Sequence, residues 1–209
     1  STPVVSVNNF PYMRRQMTRV TAISGNTITI FPGIYHTPEP GLTARITQSV
    51  FYSNGMGLED FTLMNNNGSA IFSITFSDCI NSWVKNVKSL NTSNYHLTFS
   101  SCLQSEVRGC YFSDRKVGGT NGAGILFLSS SGCLVEDNIV EKVGPNIEVN
   151  HGSSGNVFAY NVFELSGMNV NHGPHNSFNL YEGNIAPWIQ SDGYFGGASE
   201  DVIFRNWIH

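Results

Sequence analysis

The stretch Asn150-His151-Gly152-Ser153-Ser154-Gly155-Asn156-Val157-Phe158-Ala159-Tyr160-Asn161-Val162 is echoed by Asn171-His172-Gly173-Pro174-His175-Asn176-Ser177-Phe178-Asn179-Leu180-Tyr181-Glu182-Gly183-Asn184-Ile185. Both run from a short extended segment through a His-Gly turn and a small Ser to an Asn. An alternating apolar run, a second Asn and an aliphatic residue follow. Self-similarity at a fixed period is the mark of a solenoid, whose repeats each bury their apolar face against the next.

Working outward, the position before an inward-looking apolar residue supplies the anchors Asp60, Asn86, Gly109, Asn138, Asn161, Asn184 and Asn206. Subtracting successive numbers gives spacings of 26, 23, 29, 23, 23 and 22. The residues after the anchors, Phe61, Val87, Cys110, Ile139, Val162, Ile185 and Trp207, are all expected in the core. Seven before each anchor stands a small residue: Ser53, Cys79, Cys102, Ser131, Ser154, Ser177 or Ser199. Five before stands Gly55, Asn81, Gln104, Cys133, Asn156, Asn179 or Asp201. Columns that keep their chemistry while loop lengths vary imply in-register stacking, with like residues about 4.8 Å apart on parallel strands. Asn suits the turns because it tolerates the left-handed backbone and its amide can reach the next coil. No apolar stripe of period 3.6 supports a helical solenoid. The expected fold is therefore all-β: a parallel β-helix of about seven rungs and three short strands per rung. In the fifth rung the strands are 147–150, 156–160 and 162–165.

On these residues, the stacked rungs and the Asn ladder at the second turn, the chain from 50 to 209 resembles the right-handed parallel β-helix of the pectin-lyase-like superfamily. That resemblance implies polysaccharide substrates lying along the first strand sheet. The catalytic signatures of its enzymes do not carry over. Asn91-Thr92-Ser93 lacks the Asp of the polygalacturonase motif, and Asn150-His151-Gly152 only approximates the His motif. The Asp pair and Arg-Ile-Lys segment are missing, and no calcium cluster or catalytic Arg segment of the pectate-lyase kind can be placed.

Residues 1–49 form a leading segment with Pro3, Pro11 and the basic trio Arg14, Arg15 and Arg19, then a β-hairpin. Its strands alternate on either side of Ser24-Gly25-Asn26. Pro32, Pro38 and Pro40 punctuate a loop through Gly41. Only 12% of residues are charged and the net charge is −4, which argues against nucleic-acid or membrane partners, whose anionic surfaces call for a basic stripe. No apolar run approaches the roughly 18–20 residues that span a bilayer. A chain opening at Ser1 is read as having shed any signal peptide, hence secreted or cell-surface. The four cysteines are expected as free buried thiols; no metal site and no cofactor is expected. Ending inside a rung at Trp207-Ile208-His209, the chain is expected to be part of a longer solenoid or to self-associate through an uncapped edge.

Alternation along the first strand of each rung picks out the side chains facing outward. It nominates His96 and Thr98, Glu148 and Asn150, then Asn169 and Asn171, with Asp192 and Tyr194 in the last rung and Trp188 in its loop. His151 and His172 sit at the strand ends. Amides, hydroxyls, a few carboxyls and neighbouring aromatics are what a sugar chain requires. Glycosidic hydrolysis needs two carboxyls, and Glu148 with Asp192 is the one pair on this face, two rungs or about 9.6 Å apart. His151 and His172, and His96, are alternative proton-transfer groups. The plainer readings make Asn150 and Asn171 ladder residues and the two histidines turn residues bonded to carbonyls. Glu148 has no evident structural need between Ile147 and Val149. The functional expectation is a carbohydrate-active protein that binds and cleaves a polysaccharide as a glycoside hydrolase or lyase. The alternative is a non-catalytic solenoid segment of an adhesin, spike or stalk.

Overall fold

A computed structural model describes residues 15–37, 46–47, 51–65, 72–115 and 122–209. Pro3, Pro11, Arg14, Pro38, Pro40 and Gly41 fall outside the described residues, as does the junction expected at 50.

Three parallel sheets wrap around one core. The first holds six strands, Phe72–Ser77, Tyr95–Ser100, Ile125–Leu128, Ile147–Asn150, Met168–Asn169 and Ile189–Gln190. The second has seven, running from Gly57–Glu59 through Val157–Ala159 to Val202–Phe204, and the third has seven, running from Thr62–Met64 through Val162–Glu164 to Trp207–Ile208. Each chain segment visits the first, second and third sheets in turn and pairs only with its counterparts one rung above and below. This is a parallel β-solenoid of about six turns. Arg19–Ser24 and Thr27–Phe31 form the expected antiparallel hairpin. The hairpin itself is largely exposed, and the chain on either side of it docks onto the solenoid: Met17 N–H donates to Ser131 Oγ at 3.0 Å, and Tyr35 packs on Phe178.

The core is a file of side chains along the axis. Phe76, Phe99, Phe127, Phe158 and Tyr181 contact one another in sequence, with ring centroids 4.9–5.5 Å apart. Such aromatic pairs add about 0.5–1.5 kcal/mol each to the burial of their area. All four cysteines are buried free thiols.

Two adjacent columns, not one, run along the turn between the second and third sheets. Asp60, Asn86, Gly109, Asp137, Tyr160, Gly183 and Arg205 all have φ between 51° and 63° and make the bend. The next residue points inward, and there Asn138, Asn161, Asn184 and Asn206 form a ladder. Asn161 Oδ1 accepts from both N–H and Nδ2 of Asn138, at 3.0 and 2.9 Å, and Asn184 repeats this toward Asn161. A second ladder links Cys133 N–H, Asn156, Asn179 and Asp201.

The sequence spacing merges the bend and ladder columns, slipping by one residue between the third and fourth rungs. Tyr111 pairs with Ile139, so Gly109 aligns with Asp137 and Cys110 with Asn138. The slip arises because Asn and Gly serve a left-handed bend while Asn also serves the ladder beside it. The expected core is corrected in two places: Ile139 and Trp207 are 43% and 67% exposed on the outer face, with Val140, Phe163 and Ala186 filling the interior instead, and Phe61 at the first turn is 37% exposed. The small column slips likewise, since Ser131 bridges to Leu103 while Ser130 Oγ meets Cys102 N–H.

Candidate functional site

Register along the first sheet aligns Thr75, Thr98, Leu126, Glu148, Asn169 and Gln190 on its outer side. Leu97, Phe99, Ile125, Phe127, Ile147 and Val149 point inward as alternation requires. The middle of the outer column is nevertheless almost dry: Thr98, Leu126, Glu148 and Asn169 are 3–7% exposed. Thr98 Oγ1 meets no partner among the described residues.

His96 does not join this line. The N–H groups of His96 and Leu97 both point at Gly124 O, at 3.2 and 3.1 Å, which is a bulge in the pairing with the next rung. The extra residue turns the imidazole inward, where Nδ1 lies 2.9 Å from Ser89 Oγ and the ring stacks on Phe112. Burial pushes His96 down to about 4. Tyr95 acts electrostatically with the outer side instead: burial, then the charge of Glu148, push its hydroxyl up to about 12, with Arg115 opposing. Nothing in the local pattern signals that bulge.

The groups that converge lie in the last rungs. Past Gln190 the chain leaves the repeat, and Asp192 reaches back toward the previous rung. Its Oδ2 accepts from Asn169 Nδ2 at 2.6 Å and lies 2.8 Å from His172 Nδ1, while Oδ1 accepts from Tyr194 N–H at 2.9 Å. Asn171 is fully buried and secures the same loop by donating from Nδ2 to Gly196 O at 2.6 Å. His172 stacks on Tyr194, centroids 5.6 Å apart, and meets Phe195 edge-on at 5.1 Å. One rung back, Asn150 Nδ2 donates to Glu148 Oε1 at 2.6 Å.

The two carboxyls are driven apart. Burial raises Glu148, with the Asp192 charge adding to it, and His172 and the Asn150 amide oppose only in part. For Asp192 burial also acts upward, but the hydrogen bonds from His172, Tyr194 N–H and Asn169 together hold it below the ordinary value. Asp192 bonds to Asn169, which pairs with Glu148 one rung back, and the charge of Asp192 acts on Glu148.

The repeated His-Gly pairs are not equivalent. His151 is left-handed at φ 56°, with Gly152 at φ 72°, whereas neither His172 nor Gly173 is. Gly173 is small for a different reason: a Cβ there would lie 2.7 Å from His151 N and 2.9 Å from Asn150 Oδ1. His151 is pushed down to about 4, by burial first and then by the charges of Arg15 and His172. Trp188 packs on Gly167, and its carbonyl accepts from Met168 N–H. Sequence reasoning passed over Phe195 and Asn176, and read Gly173 only as part of a turn. Asn176 is fully buried, and its amide bonds Val149 O and Gly173 O, bracing the turn beneath His172.

Chemically, the cluster offers a histidine held through Nδ1 by a carboxylate. Among the described residues no group meets its Nε2, and its side chain is 32% exposed. Such a pairing fixes the tautomer and aims the free nitrogen. A scan against protein-family models matched none, and no curated protein is significantly similar in sequence.

Proposed function

We propose that this chain is a carbohydrate-active β-helix protein, of the pectin-lyase-like kind, that binds a polysaccharide across the rim formed by His172, Asp192 and Tyr194 and cleaves it. The observation that carries the reading is the Asp192–His172 pair beside Glu148, two carboxyls on one face with proton affinities displaced in opposite directions. Glu148, biased toward its neutral form, is the proton donor. His172 Nε2 is the proton acceptor. Asp192, whose oxygens already accept three hydrogen bonds, is a positioning residue that holds the ring. Tyr194, 74% exposed, offers a face on which a sugar ring can stack.

A second reading, a non-catalytic stalk or adhesin segment, is favoured by a different observation. The amides of Asn150, Asn169 and Asn171 all bond to protein oxygens, and Glu148 is only 7% exposed. Reducing-end and unsaturated-product assays over a polysaccharide panel separate the two. The enzymatic reading expects turnover that Glu148→Gln and His172→Ala each lower by about 100-fold or more, the scale of a lost acid or base. Absence of both turnover and binding across the panel would leave only the structural reading.

A further inference from the structure

The polar atoms around His172 are unbalanced. We infer that this site selects an uncharged, hydroxyl-bearing saccharide over the corresponding uronate; the inference rests on the saccharide reading above and specifies its substrate class.

Acceptors lead the inventory. Asn150 Oδ1 is buried and has no partner among the described residues, while its own amide nitrogen serves Glu148. It sits against Gly173, in the space that a Cβ at that position would fill, directly beside His172. An unpartnered buried acceptor carries a desolvation cost that an incoming O–H donor removes. Glu148 belongs to the outer column, and Asp192 accepts from Asn169, its neighbour in that column.

Donors are mostly committed. Asn150, Asn169 and Asn171 each donate from Nδ2 to a protein oxygen, and Tyr194 N–H donates to Asp192. A sugar hydroxyl supplies the missing hydrogen; a uronate carboxylate brings two more acceptors and a negative charge.

The charges point the same way. Among the described residues, Glu148 is acted on by His172, Asn150 and Asp192, and Asp192 by His172, Tyr194 N–H and Asn169, none of them Arg or Lys. Arg115 directs its guanidinium to the carbonyls of Gly122 and Gly144. Arg15 acts on His151, across the turn. A carboxylate at about 6 Å from Asp192 is disfavoured by about threefold at the dielectric of bulk water and by about 100-fold at an effective dielectric of about 20.

The test is calorimetric titration of the intact chain with matched oligosaccharide pairs that differ only at C6: galactose and galacturonate, glucose and glucuronate, mannose and mannuronate. The expected result is binding of at least one neutral oligomer about tenfold or more above its uronate partner, with the gap narrowing in Asp192→Asn, a near-isosteric variant whose folding is checked by thermal unfolding. Equal or tighter binding of the uronate overturns the inference and leaves the saccharide reading standing. A neutral preference that Asp192→Asn does not narrow also overturns it, because the selectivity then arises elsewhere. If no oligomer binds and no polysaccharide on the panel is cleaved, the saccharide reading itself fails.

Discussion

Replacing Asn161 by Ala tests the ladder as the device that sets the rungs. Asn161 is fully buried, and its amide makes four hydrogen bonds: Oδ1 accepts from Asn138 N–H and Nδ2, and Nδ2 donates to Val135 O and Asn184 Oδ1. Asn138 Nδ2 keeps a second acceptor in Val107 O, but Asn138 N–H loses the partner this bond provides inside a dry turn. At about 1 kcal/mol net per bond, with a larger cost for the stranded N–H, Asn161→Ala loses about 4 kcal/mol. With a urea slope of about 2 kcal/mol/M, the midpoint falls by about 2 M at unchanged slope. Asn161→Asp keeps both acceptor bonds but sets a second oxygen against Val135 O and Asn184 Oδ1 in a dry turn, and is expected to lose at least as much. Asn206→Ala, at a partly buried position, is expected to lose less than Asn161→Ala. Urea unfolding followed by circular dichroism, with hydrogen exchange at Asn138, checks the series. A loss below about 1 kcal/mol for Asn161→Ala would show that backbone pairing alone holds the rungs, and the ladder argument fails.

Three further outcomes are expected. His96 titrates at about 4 when folded and near 6.5 when unfolded, so neutral His96 contributes stability that is complete above pH 6.5 and is lost as pH falls toward 4, on the order of 3 kcal/mol. His96→Gln should flatten that part of a stability-versus-pH curve by about half, leaving the comparable slope due to His151, which is pushed down to the same value; an unchanged slope refutes the assignment. Glu148 has the opposite sign: its folded value is raised, so ionisation costs stability as pH rises above its unfolded value, and Glu148→Gln should be stabilising at neutral pH with no gain in acid. Gly173→Ala brings a Cβ against His151 N and Asn150 Oδ1, which should cost about 1–3 kcal/mol by overpacking and weaken oligosaccharide binding beyond that; calorimetry showing unchanged affinity in the folded variant counts against a role for this space.

Much of the architecture was legible because parallel stacking repeats a chemical demand at every rung. Asn156, Asn161, Asn179 and Asn184 could be assigned to structural columns without coordinates, since each amide bonds to its counterpart one rung away. Glu148 stood out for the complementary reason that its column demands no carboxylate. The candidate site was less legible. His96 followed alternation on paper, but a bulge defined by Gly124 O turned it inward. Asp192 was read as one of two catalytic carboxyls, but its contacts with Asn169, His172 and Tyr194 N–H had no sign in the local pattern.

The two Asn-His-Gly stretches mark the boundary between these levels. From the sequence alone came the rung, its three strands and the Asn columns, because period-two patterning and in-register stacking are local rules applied many times over. Tertiary structure alone decided that Gly152 serves a left-handed bend while Gly173 yields space to Asn150 and His151. It also decided that, of the two histidines, His172 is the one paired to Asp192, because that contact depends on a loop after Gln190 that departs from the repeat. A repeat predicts what recurs at every rung; a contact made once, by the segment that departs from it, has no second copy from which to be read.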